Sequence, residues 1–147
     1  MKKEMKKKNN KGFSLVELIV VIAIMAVLMV VLAPAMLRYV EKTRVQKDDS
    51  AVSEVANALE LALAQENIYD AAGGKVVIVT VTGSSGAITA SIDGTAVAAD
   101  HVLLKDVKAT VGDTIAISSK QRKVQTYTAT ATYDPNRQAY VVVGAWT

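Results

Sequence analysis

Between Leu18 and Leu37 the chain runs for 20 residues without a charged side chain, and that stretch limits what the rest can become. At about 1.5 Å of rise per residue, roughly 20 apolar residues are what a helix needs to cross the hydrocarbon core of a bilayer. The flanks are asymmetric. Residues 1–12 hold Lys2, Lys3, Lys6, Lys7, Lys8 and Lys11 against Glu4, a local charge of +5, so the formal +3 of the whole leaves −2 for residues 13–147. Lysines ahead of an apolar run keep the N-terminus in the cytoplasm and send the remainder across the membrane. Nucleic acid is not an expected partner, because the charge that would bind phosphates is confined to this short leader.

Three ordinary explanations compete for the run. A secretory signal peptide would be cut after Ala33-Pro34-Ala35, but its apolar region usually spans about 7–15 residues and tolerates a charge such as Glu17 poorly. A simple signal anchor explains the apolar run and leaves the carboxylate unexplained. A buried helix of a soluble protein rarely stays apolar on every side for so long. Glu17 is the informative residue, since an ionised acid at membrane depth costs on the order of 2–3 kcal/mol or more unless it is compensated. No basic side chain lies within the run. An N-terminal amine created by cutting after Gly12 would compensate it, one helical turn away in its own chain or beside it in a neighbour.

Lys11-Gly12-Phe13-Ser14-Leu15-Val16-Glu17, followed by Leu18-Ile19-Val20-Val21-Ile22-Ala23-Ile24, resembles the processing and methylation motif of type IV prepilins and pseudopilins. The resemblance implies that Gly12 is the last residue removed by a cytoplasm-facing prepilin peptidase and that Phe13 becomes the N-methylated first residue. It implies that Glu17 pairs with the Phe13 amine of an adjacent subunit during assembly. Pro34 falls where the family commonly has a helix-disturbing proline, and its ring removes a backbone hydrogen bond in any case. Ala26 stands where many relatives carry a second breaker, glycine, so any unwound stretch is expected to be shorter than theirs.

Past the run, Arg38, Glu41, Lys42, Arg44, Lys47, Asp48 and Asp49 form a mixed-charge collar with helical spacing, expected to be a solvated face with a few weak pairs. Val52, Val55, Ala56, Leu59 and Leu63 then recur at spacings of three and four opposite Ser53, Glu54, Asn57 and Glu60, an amphipathic half-helix in need of a partner surface. The helix is expected to end near Gln65, with Asp70–Lys75 as its terminator. Lys75–Thr82 and Ala87–Ile92 read as a hairpin about Gly83-Ser84-Ser85-Gly86. Further strands are expected at Thr114–Ser119, Val124–Tyr133 and Ala139–Trp146, and a short helix within Ala98–Val107. In Tyr127-Thr128-Ala129-Thr130-Ala131-Thr132-Tyr133 strict alternation puts tyrosines and alanines on one face and threonines on the other, the mark of a sheet with one buried side. The fold class is α+β: a long N-terminal helix whose second half covers an antiparallel sheet. The expected division is leader 1–12, transmembrane or filament-core helix 13–37, and extracellular head 38–147.

Little in the head suggests chemistry. His101 is the only histidine and is read as a surface or capping residue. Asp93, Asp113 and Asp134 stand in turns, where carboxylates serve the backbone. Lys120, Arg122 and Lys123 are read as part of a polar loop. With no cysteine there is neither disulfide nor thiolate site. No catalytic group, metal site or cofactor is expected. The resemblance implies a structural subunit of a type IV pilus filament, processed by prepilin peptidase and assembled through its N-terminal helix into a helical homo-oligomer by the pilus assembly machinery. The precursor would be single-pass in the cytoplasmic or inner membrane and the product extracellular. A secretion pseudopilin and a monomeric membrane-anchored binding module are the alternatives. Adhesion, motility, DNA uptake and secretion are not distinguished.

Overall fold

The computed structural model describes residues 12–147. The chain divides into two compact units, Met1–Tyr39 and Val40–Thr147. Helix α1 is assigned over Leu15–Leu63, with Pro34 inside it. Every described side chain of the first unit is exposed, including Leu18, Ile22, Met25, Met29 and Leu32 at half or more of their surface.

In the second unit the 3.6-residue period takes over. Asp48, Val52, Val55, Ala58, Leu59, Ala62 and Leu63 form one buried stripe of α1, and the intervening Ser53, Glu54 and Glu60 stay exposed. The chain continues into α2 (Glu66–Ala72), then β1 (Val77–Thr82), β2 (Ile88–Ile92), the two-residue β3 (Thr95–Ala96), and α3 (Val102–Val111). A 3-10 turn over Arg122–Val124 precedes β4 (Thr126–Asp134) and β5 (Ala139–Trp146). The five strands lie in the order β3-β2-β1-β4-β5, antiparallel at each pairing. Tyr127, Ala129 and Ala131 are buried while Thr128 and Thr130 are half-buried on the opposite face, as strand alternation requires. Together with Val77, Val79, Val81 and the helical stripe they make one core. The fold is therefore a long helix with a small antiparallel sheet, α+β.

Three expectations are corrected. The helix stops at Leu63, and a second helix, α2, occupies Glu66–Ala72 before the glycines act: Gly73 takes a left-handed φ of 56° and its N–H closes on Tyr69 O, the usual glycine C-cap. The short helix is shifted to Val102–Val111, with His101 as its N-cap and Nδ1 accepting from Leu103 N at 3.3 Å. Thr114–Ser119 is not a strand. It joins the sheet region only through the isolated bridge Ala87↔Thr114 and the Ile115 N–H donating to Gly86 O at 2.9 Å. Gly86 has φ 67°, and a Cβ there would overlap Ile115 O, so close backbone approach requires glycine. Beyond that point the segment leaves the sheet because its amides are claimed by α1.

Candidate functional site

At the start of α1 the backbone leaves Gly12, Phe13 and Ser14 outside the helix. The Phe13 side chain is 89% exposed. Ser14 Oγ accepts from Val16 N at 3.3 Å, and Glu17 Oε2 accepts from Ser14 N at 2.9 Å. This reciprocal arrangement is a capping box, which satisfies N–H groups that a helix start otherwise leaves open. The Ser-x-x-Glu spacing announces it, although the charge of the carboxylate alone does not point to Ser14. Gly12 and Phe13 are thus adjacent in an exposed, non-helical stretch directly before the helix. The lysines of the leader, Lys2 to Lys11, lie outside the described residues.

From Leu15 onward the helix presents apolar surface in all directions. Burying one large aliphatic side chain is worth about 1.5–3 kcal/mol, so a belt of this size left in water would cost tens of kcal/mol. It is long and apolar enough to cross a membrane and is covered by none of the described residues, which fits a membrane-anchored precursor. Pro34 cannot donate to Val30 O, and the helix is continuous through it.

The charged collar is a solvated face only in part: Arg38, Lys42, Arg44 and Lys47 are exposed, whereas its three acids turn to the fold. Asp48 is fully buried. Its Oδ1 and Oδ2 accept from Ser118 N at 2.9 and 3.1 Å, and Oδ2 also accepts from Ser119 N at 2.7 Å. About two turns earlier, Glu41 Oε1 accepts from the Ser119 hydroxyl at 2.8 Å and from Lys120 N at 2.7 Å. Ser119 Oγ in turn accepts from Gln121 N at 3.1 Å and Arg122 N at 3.3 Å. The Ser119 hydroxyl, then the Lys120 and Gln121 amides and Arg44, hold the Glu41 carboxyl below its ordinary 4.5. Asp49 completes the group: its carboxylate takes Arg122 Nη2 at 2.8 Å and Trp146 Nε1 at 2.8 Å, while the Arg122 guanidinium lies 4.7 Å from the Trp146 ring centroid. Three acids on α1 therefore bind the 118–122 loop and the last residues of β5. Of the weak pairs that helical spacing allows in the collar, Arg44 makes the one with Glu41 at 3.7 Å, whereas Asp48 is used by the loop and Arg122 is committed within the chain. Among the described residues no group of acids, histidines or cysteines suited to a metal occurs.

No curated protein and no solved structure matches the chain. Residues 7–33 match the family model of the prokaryotic N-terminal methylation motif, the type IV prepilin-type cleavage and methylation signal, and that motif indicates a type IV pilin-like or pseudopilin protein.

Proposed function

We propose that this chain is a structural subunit of an extracellular type IV filament, cut between Gly12 and Phe13 by prepilin peptidase and N-methylated at Phe13. The observation that carries the proposal is the continuity of the methylation motif at residues 7–33 with a helix whose first half is apolar and exposed on all sides. Such a surface has two natural covers, lipid before assembly and copies of the same helix afterwards. Residues 1–12 are then a removed leader, 13–37 the membrane and filament-core segment, and 38–147 the head. The precursor is single-pass with its N-terminus in the cytoplasm, and the assembly machinery converts it into a helical homo-oligomer. A secretion pseudopilin uses the same chemistry and is the second member of this proposal. The chain acts by packing rather than by catalysis.

Within the filament, Glu17 pairs with the positive Phe13 amine of an adjacent subunit, and Pro34 locally weakens the helix where copies pack. The capping box supplies a rival role for Glu17, closing the helix start of its own chain. Glu17→Gln separates the two, because an amide still caps a helix in this motif but carries no charge. Pairing predicts that Glu17→Gln and Glu17→Leu both insert in membranes yet yield few or no sheared filaments by electron microscopy. Filaments at normal yield from Glu17→Gln would leave capping as the residue's whole role, and normal yield from Glu17→Leu would reject both.

A further inference from the structure

The five-stranded sheet ends in two very different edges. On one side the two-residue β3 covers part of β2, and Val97 N donates to Ala90 O at 3.0 Å; so short an edge offers no ladder to a newcomer. On the other side lies β5, Ala139–Trp146, eight residues long and paired only with β4. The register fixes which of its backbone groups are free. Thr126 and Thr147 exchange both of their N–H and C=O bonds at 2.9 Å, so the pairs Thr128↔Ala145, Thr130↔Val143, Thr132↔Val141 and Asp134↔Ala139 are the hydrogen-bonded ones of the β4–β5 ladder. The amides and carbonyls of Tyr140, Val142, Gly144 and Trp146 therefore point away from β4. No backbone hydrogen bond joins them to any described residue.

Exposed edges are ordinarily guarded by lysine, proline, a bulge or brevity. β5 has none of these: Ala139-Tyr140-Val141-Val142-Val143-Gly144-Ala145-Trp146 carries no charge and no proline. On the outer face of the sheet Val143 is 63% exposed. We infer that the β5 edge pairs with the β5 edge of a second copy of this chain, antiparallel about a two-fold axis, and that this contact joins one filament to another. The inference rests on the filament proposal above.

The choice of partner follows from counting edges and from symmetry. Each head has one open edge of useful length, so edge pairing between copies must be β5 with β5. A two-fold contact is closed and cannot propagate a polar helical polymer; it can only link copies belonging to different filaments. An eight-residue strand pair is also small beside the roughly 800 Å² per partner of a stable interface, so isolated subunits should not dimerise through it. Filaments repeat it along their length, and the repetition supplies avidity. Matching the four outward groups of one strand to those of its mate sets Tyr140 against Trp146 and Val142 against Gly144. Val143 then faces Val143 of the second copy across the axis, a non-hydrogen-bonded pair with Cα atoms about 4.5 Å apart.

That register gives the test. Val143→Lys and Val143→Glu each put like charges face to face at the axis while leaving the core and the β4 ladder untouched. Wild-type filaments should lie in lateral bundles by electron microscopy, and filaments of either variant alone should disperse singly. Mixing Val143→Lys filaments with Val143→Glu filaments should restore the bundles. Thr132→Lys, exposed on the same face but one strand in from the edge, should bundle as wild type does. Bundling of Val143→Lys at the wild-type level, failure of the mixture to bundle, or single wild-type filaments would overturn the inference. A wild-type chain that makes no filament refutes the underlying proposal instead, and the two failures look different on the grid.

Discussion

Removing the Asp48 carboxylate should weaken the head more than removing either of the other two acids of α1, Glu41 and Asp49, that bind the loop. In Asp48→Ala the amides of Ser118 and Ser119 lose their acceptors, and Ser119 is itself fully buried, so water is poorly placed to replace them. Hydrogen bonds to a charged acceptor contribute about 1.5–3 kcal/mol each; two donors give about 3–6 kcal/mol. Domains of this size have roughly 5–15 kcal/mol in total, and about 1 kcal/mol moves the midpoint by 4–8 °C. The loss should therefore lower Tm by at least about 12 °C. Trp146 is the only tryptophan and is bonded to the neighbouring Asp49, so its fluorescence in thermal unfolding of the full chain in detergent reports on this cluster directly. Asp48→Asn keeps one acceptor and should fall between wild type and alanine. A shift below about 3 °C for Asp48→Ala would show that the loop finds other partners and that the clamp is not what ties it to α1.

Two further outcomes follow from the same region. A Cβ on Gly144 would overlap the Tyr127 hydroxyl, so Gly144→Ala should destabilise the β4–β5 pair by about 1–3 kcal/mol, read as an earlier unfolding midpoint in denaturant. Glu41, whose carboxyl is held below 4.5 in the fold chiefly by Ser119, contributes stability that is complete above that ordinary value and is lost as pH falls through its lower folded value. Wild type should therefore lose more of its midpoint between neutral and acid pH than Glu41→Gln does, and parallel curves for the two would remove Glu41 from the clamp.

The parts of this molecule legible in the sequence are those set by periodicity. The apolar run, the Val52–Val55–Leu59–Leu63 stripe and the Tyr-Thr-Ala alternation of β4 each follow from where side chains must point. What escaped depends on backbone groups. Ile115 and Ile117 give Thr114–Ser119 a strand-like composition, but its amides at Ser118 and Ser119 are taken by Asp48, and no residue type shows that from afar. A signal was present nonetheless: Asp48 stands four and seven residues before Val52 and Val55, on the apolar stripe itself. An acid on a buried stripe needs donors, and Asp48 finds them in the loop. In the same way Ser14 and Glu17 spell a capping box, and in the collar the helical face of each acid says more than the count of charges. The helix α2 is not legible because Gly73-Gly74 marks a helix end without telling which helix ends there.

Whether this chain is a processed filament subunit is read most directly from the mass and N-terminal sequence of the native protein. A processed subunit begins with N-methylated Phe13 and lacks residues 1–12, and that is the expected result. A chain still beginning at Met1, or one beginning at Met36 after cleavage at Ala33-Pro34-Ala35, would contradict it.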